Sequence, residues 1–225
     1  MAIPLSFAAA PIALPEPMPV HPRLFADAAR FAALREQVKT EPTSARIFTD
    51  LTRRADRMLT LPPLTYKKEG RRLLDVSRSA LERISTLAMM ARLSDDPRYA
   101  ERAIAEMRAV TAFTDWNPSH YLDTAEMSLA VAIGYDWLYE RIEPAERARF
   151  AKALLDLGVS QAEAAPAAQL FWIKGTNNWN QVCHAGMVAG AIALADEQPA
   201  LALRTLNRAV ENLHRAADHY APDGA

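Results

Sequence analysis

From Phe25 onward, apolar residues recur at helical spacing, and no stretch alternates apolar and polar positions long enough to read as a strand. Two kinds of segment take turns. The first kind is apolar on most sides. Residues 73–93 carry Val76, Leu81, Ile84, Leu87, Met89 and Met90. Residues 121–138 carry Leu122, Met127, Leu129, Val131, Ile133 and Trp137. Residues 179–194 carry Val182, Met187, Val188, Ile192 and Leu194. A helix apolar all round is buried on several faces.

Each of these is followed by an amphipathic segment. Residues 98–111 place Ile104, Met107 and Val110 on one side, with Glu101, Arg102 and Arg108 outside. Residues 145–162 turn Phe150, Leu154, Leu157 and Val159 inward. Residues 201–220 turn Leu206, Val210, Leu213 and Ala217 inward, with Arg204, Arg208, Glu211 and Arg215 outward. Pro97, Pro144 and Pro199 stand where these helices begin, a position that suits proline. Their separations are 47 residues (97 to 144) and 55 residues (144 to 199). The pattern predicts repeated helical hairpins, a buried helix followed by an exposed one. Residues 27–40 and 43–59 predict one further hairpin. Such hairpins build an open solenoid or a closed α/α toroid, and the very apolar inner helices favour closure. The expected fold is therefore all-α, an incomplete α/α toroid of repeated helical hairpins.

The first 22 residues are different. They hold six of the 15 prolines, which disfavour both helix and sheet centre. Residues 1–22 read as a proline-rich leader, and residues 23–225 as the helical domain. Met1 to Ala10 fit an export-signal remnant, which would place the protein in the periplasm or outside the cell. No Lys or Arg precedes Arg23, so a plain disordered leader fits as well.

Composition narrows the classes. The 225 residues carry 26 basic and 27 acidic side chains, a net charge of -1, which argues against binding nucleic acid through bulk charge. The single cysteine, Cys183, rules out an internal disulfide and a cysteine-cluster zinc site. The five histidines do not pair at metal-ligand spacing, and no apolar run reaches the roughly 18 residues of a membrane span. No metal or cofactor is expected.

Candidate chemistry lies where polar residues interrupt the inner helices. In a toroid these helices run the same way, so their N-terminal ends gather at one mouth. The third opens with Asn177-Asn178-Trp179-Asn180-Gln181, followed by His184. Asn177, Asn180, Gln181 and His184 share one helical face, which is costly on a buried helix unless each is hydrogen-bonded. Capping by Asn177 or Asn178 and a satisfied core histidine is the plainer reading. His120 and Tyr121 stand at the start of the second inner helix. Asp123 fits a first helical turn there, and Tyr135-Asp136-Trp137 at the far end reads as packing plus a buried hydrogen bond. Arg78 falls in the first inner helix and is expected to be buried and to need an anionic partner. Amide, imidazole, guanidinium and aromatic groups together suit an acidic sugar.

Three stretches resemble a known family. Tyr121-Leu122-Asp123-Thr124-Ala125-Glu126-Met127, continuing to Gly134-Tyr135-Asp136-Trp137-Leu138-Tyr139, is similar to the N-terminal domain of heparinase II/III-like polysaccharide lyases. So are Asn177-Asn178-Trp179-Asn180-Gln181-Val182-Cys183-His184-Ala185-Gly186 and the opening His21-Pro22-Arg23-Leu24-Phe25. The likeness runs from about His21 to the last residue and is nearest to the oligo-alginate lyase type. It implies an α/α toroid followed by β domains, and cleavage of a uronic-acid polysaccharide, alginate or heparin-like, by β-elimination. It implies that Asn178 and His184 neutralise the substrate carboxylate, while a His or Tyr acts as base and a Tyr as acid. Arg78, His120, Tyr121, Asn177, Trp179, Asn180 and Gln181 are the expected substrate-binding residues. The expected partners are an acidic polysaccharide and the C-terminal β domains of the same protein.

The family's catalytic tyrosine lies well downstream of the Asn/His motif, where this sequence has only Tyr220. The expectation is therefore the N-terminal part of a lyase, incomplete and inactive alone. A toroid glycoside hydrolase is an alternative that needs two carboxylates facing the cleft, from among Asp123, Glu126 and Asp136. A non-catalytic helical module for a peptide or sugar is another.

Overall fold

The computed structural model describes residues 12–218, and among these there is no β-strand. The first hairpin is α1 (Ala28–Thr40) and α2 (Pro42–Leu59). Three further hairpins follow: α3 (Leu74–Leu93) with α4 (Pro97–Thr111), α5 (Tyr121–Trp137) with α6 (Pro144–Ala153), and α8 (Asn178–Ala193) with α9 (Pro199–Asn212). After α6 the chain widens into a π turn, Leu154–Val159, and continues as the short α7 (Gln161–Ala164). A last short helix, α10 (His214–Ala217), follows α9. Proline starts α2, α4, α6 and α9, where its missing N–H costs nothing.

The inner layer is α3, α5 and α8, with α5 packed between the other two. These helices are parallel. Arg78 meets Glu126 near the starts of α3 and α5, and Ile84 meets Gly134 further along. His120 meets Trp179 before and at the starts of α5 and α8, and Tyr135 in the last turn of α5 donates to Glu197 just past the end of α8. Helix α5 is buried along nearly its whole length, as its sequence requires, and forms the centre of the main core with Ile84, Met107, Met127 and Leu154. Glycine allows the closest approach. A Cβ on Gly186 of α8 would lie 2.1 Å from the Ala125 carbonyl oxygen of α5.

In two places the outer layer differs from the pattern. On α9 the buried stripe is Leu201, Ala202, Thr205, Ala209 and Asn212, while Val210 is 39% exposed and Leu213 36%. The expected inward face is rotated by about one residue, because small and polar side chains fill the seam against α8. Arg208, expected outside, is consequently half-buried. Within 145–162 the helix is not uniform. Its π turn brings Gly158 against α5, where an added Cβ would meet Ser128 Oγ at 2.5 Å.

The segment before α1 docks across the far end of the inner row. Fully buried Asp136 accepts from Arg23 N at 2.9 Å and Leu24 N at 2.8 Å, and pairs with His21 Nδ1 at 2.5 Å. Trp137 Nε1 donates to the Leu24 carbonyl. This is the buried hydrogen bond expected of Tyr135-Asp136-Trp137, and its partner is the opening His-Pro-Arg-Leu motif. Residues 1–11 of the leader, His219 and Tyr220 lie outside the described residues.

Candidate functional site

The site forms at the end where α3, α5 and α8 begin. Just before α5, Asn117 takes a left-handed conformation (φ 57), which Asn tolerates better than most residues. This turn carries its side chain inward. Asn117 Nδ2 donates to the Arg71 carbonyl at 2.8 Å and to Asp123 Oδ2 at 2.6 Å. Asp123 is fully buried and also accepts from Leu73 N at 2.6 Å and His120 Nδ1 at 2.7 Å. One carboxylate thus ties the approaches to α3 and α5 together. Asp115 extends the network by accepting from Asn117 N and from the Tyr66 hydroxyl, each at 2.8 Å.

A carboxylate offers only acceptors, so His120 Nδ1 donates to Asp123, and Nε2 makes no hydrogen bond among the described residues. The His120 side chain is 5% exposed. Its ring meets Trp179 edge-on at 4.9 Å, and Trp179 packs against exposed Phe171 at 5.0 Å. Exposed Phe171, half-buried Trp179 and the buried imidazole thus form one continuous line of ring contacts.

Arg78 stands at the same end, but it is not buried. The buried stripe of α3 runs through Leu74, Ser77, Ala80, Ile84 and Leu87, and Arg78 falls beside it with its side chain 61% exposed. It does have an anionic partner, since its Nε lies 3.4 Å from Glu126. Burial pushes the Glu126 carboxyl above the usual carboxylate range, and Arg78 acts in the opposite direction.

The polar line on α8 splits in two. Asn177 caps the helix by accepting from Trp179 N at 3.1 Å, and Asn178 is exposed beside it. Gln181 is half-buried. One turn further in, Asn180 is fully buried, with Nδ2 donating to the carbonyls of Trp172, Ile173 and Asn212. His184 Nδ1 donates to the Asn180 carbonyl at 2.7 Å, and its Nε2 is buried with no hydrogen-bond partner among the described residues. Burial holds the His184 pKa below its ordinary value. Tyr121 lies in the same interior, its ring 4.8 Å from Trp172 and its hydroxyl donating to Met187 Sδ at 3.4 Å. Burial raises its pKa.

The structure therefore places Arg78, His120, Asn177, Asn178 and Trp179 at the end where the three inner helices begin, and seats Tyr121, Asn180 and His184 deeper in the interior. The physical reason is the connection 165–177. It folds into two short 3₁₀ turns, Ala167–Gln169 and Phe171–Lys174, and lays Trp172 over the second turn of α8. Sequence reasoning missed Trp172, Phe171, Asn117 and Tyr66. Only Asn117 had a signal, an Asn-Pro pair before a helix, which marks a turn.

Among the described residues no three His, Cys, Asp or Glu side chains are grouped to hold a metal, and no helix is long and apolar enough to cross a membrane. No family model and no curated protein matches this chain.

Proposed function

We propose that this chain is the N-terminal helical part of a polysaccharide lyase that cleaves a uronic-acid-containing polymer, alginate or heparin-like, by β-elimination. In this reading the three parallel inner helices are an arc of an α/α toroid, and the mouth is part of its substrate cleft. The observation that carries the reading is the Asp123-held imidazole of His120, in ring contact with Trp179 at the shared N-terminal end of the inner helices.

Elimination removes the proton beside a carboxylate, so the carbanion needs that carboxylate neutralised. Arg78 and the Asn178 amide stand at the rim, where they would take the carboxylate, and the N-terminal helix ends favour negative charge there. His120 Nε2 would accept the C5 proton, and buried Asp123 would stabilise the imidazolium that results. Trp179 and Phe171 would stack on the sugar rings. His184, buried at its Nε2, would support Asn180 and the helix start from beneath. Tyr121 points its hydroxyl at Met187, so the acid for the leaving oxygen would be another group.

Hydrolysis is less well supported. It needs two carboxylates open to the cleft, and Asp123 is fully buried and committed to three hydrogen bonds. Of the three carboxylates considered, Glu126 lies at the N-terminal end with its side chain only 12% exposed, and Asp136 lies at the opposite end of α5.

The test uses the intact gene product, from its natural start to its natural stop. Incubation with alginate, heparin and other uronate polymers is expected to release unsaturated uronate ends from one of them. His120→Gln should remove the product while leaving oligosaccharide binding within about twofold. Absence of product from every uronate polymer would overturn the reading, as would full activity in His120→Gln.

A further inference from the structure

A cleft of about 450 Å³ opens between the last turns of α2 and the early turns of α3. Arg54 and Arg57 of α2 and Arg83 of α3 line it, together with Ser79 and Glu82, and Met58 and Leu61 are its two apolar lining residues. Three guanidinium groups facing one cleft repel each other unless something anionic lies between them. Arg83 is already committed to Glu106 Oε1 at 2.9 Å and to the Pro62 carbonyl. Arg54 and Arg57 are exposed and make no ion pair among the described residues. Arg57 sits in the last turn of α2, where one cation answers the helix dipole, but that leaves Arg54 unaccounted for. Glu82 is the only carboxylate in the lining.

The placement matters as much as the charge. Arg78 reaches Glu126 on the α5 side of α3, while its neighbour Ser79 and then Glu82 and Arg83 face the cleft on the α2 side. Arg78 and the cleft thus share the N-terminal half of one helix. A volume of this size suits a single sugar unit with its charged substituent.

We infer that this cleft is a second subsite for an acidic saccharide, in which Arg54 and Arg57 hold the carboxylate or sulfate of a sugar unit in the same chain that enters the mouth. Its substrate class rests on the lyase reading above, but the anion subsite is testable separately. Guanidinium donors match the planar or tetrahedral oxyanion by paired N–H donation, and Met58 and Leu61 offer a small apolar contact to the ring. A polymer spanning both places gains affinity from each, whereas a short oligomer occupies only one.

The experiment measures binding of a long and a short uronate oligosaccharide to the whole chain, wild type against Arg54→Gln/Arg57→Gln. The long oligosaccharide should lose roughly tenfold in affinity, as expected for two partly exposed charged contacts. Glu82→Gln should raise that affinity about twofold, which a merely unfolded variant cannot do. The control is Arg30→Gln/Arg46→Gln, which removes the same charge from exposed positions elsewhere. Unchanged affinity in the cleft variant, or an equal loss in the control, would overturn the subsite. So would a DNA duplex that displaces the oligosaccharide and depends on the same two arginines, because that assigns the cleft to nucleic acid. Selective oligosaccharide binding that depends on Arg54 and Arg57, in a protein that releases no unsaturated product, would keep the subsite and reject the lyase reading.

Discussion

Replacement of Gly186 by Ala tests the contact on which the site's geometry depends. In most helices this change stabilises by up to about 1 kcal/mol, because Ala is the better helix former. Here the added Cβ would lie 2.1 Å from the Ala125 carbonyl oxygen, 2.7 Å from its carbon and 2.8 Å from Cα. Ordinary contact begins near 3.4 Å, and every atom in the way is backbone, so no side chain can swing aside. Helices α5 and α8 must move apart by more than an ångström. Overpacking of this kind costs about 1–3 kcal/mol, and the backbone clash puts Gly186→Ala at the upper end. Subtracting the propensity gain leaves a net loss of ~2 kcal/mol, or about 4–8 °C in a chain of this size. Urea and thermal unfolding would measure it. The wedge also separates Trp179 from His120, so binding of an acidic oligosaccharide should weaken in the folded variant. A Gly186→Ala protein as stable as wild type, with unchanged binding, would refute the close packing of α5 and α8.

Three other outcomes follow from the same contacts. Glu106 is fully buried between Arg83, Arg102 and Leu64 N; because both guanidiniums touch solvent, Glu106→Ala should cost about 2 kcal/mol rather than the ~3–5 of a sealed pair, read by urea unfolding. His184 is held neutral by burial, with its folded pKa below the ordinary 6.5, so the unfolded chain binds the extra proton first; its contribution is complete above about pH 6.5 and is lost as pH falls towards the folded pKa, and His184→Gln should flatten that part of the stability profile. Asp136→Asn should destabilise by about 2 kcal/mol without altering oligosaccharide binding, whereas Asp123→Asn should impair both, as checked by melting curves and binding titrations side by side.

The layered helices are legible in the sequence because two strong signals agree. The inner helices are apolar on every side, and proline marks the start of the outer ones. The register of α9 is not legible, because its seam is made of Ala202, Thr205, Ala209 and Asn212. An apolar count prefers the larger Leu206, Val210 and Leu213, which sit slightly round the helix. The candidate site is half legible. His120, Trp179 and Asn178 stand at inner-helix starts, and position alone assigns them there. Asn180 and His184 share a face with Asn177, yet the depth of each depends on Trp172, which belongs to a connection without periodicity. Arg78 is misjudged for the same kind of reason: it lies on an apolar helix but one position off its buried stripe.

Helix α5 carries a fully buried aspartate at each end, and each holds a histidine through Nδ1 and accepts from the backbone of an approaching segment. The two pairs invite the same interpretation, but their surroundings separate them. At the C-terminal end the helix dipole opposes a carboxylate, so Asp136 needs the two backbone N–H donors and His21 simply to be tolerated. His21 is also closed off on its other side, where Nε2 meets Arg23 and the ring stacks on Tyr139 at 4.1 Å. Both ring nitrogens of His21 are thus committed. At the N-terminal end the dipole already favours an anion, and Asp123 is satisfied while His120, beside Trp179, makes no hydrogen bond through Nε2 among the described residues. The same end that stabilises buried Asp123 would stabilise a second negative charge brought by a substrate. A clamp and the proposed site would thus be made from the same residue types on one helix, with the direction of the helix deciding which end takes which part.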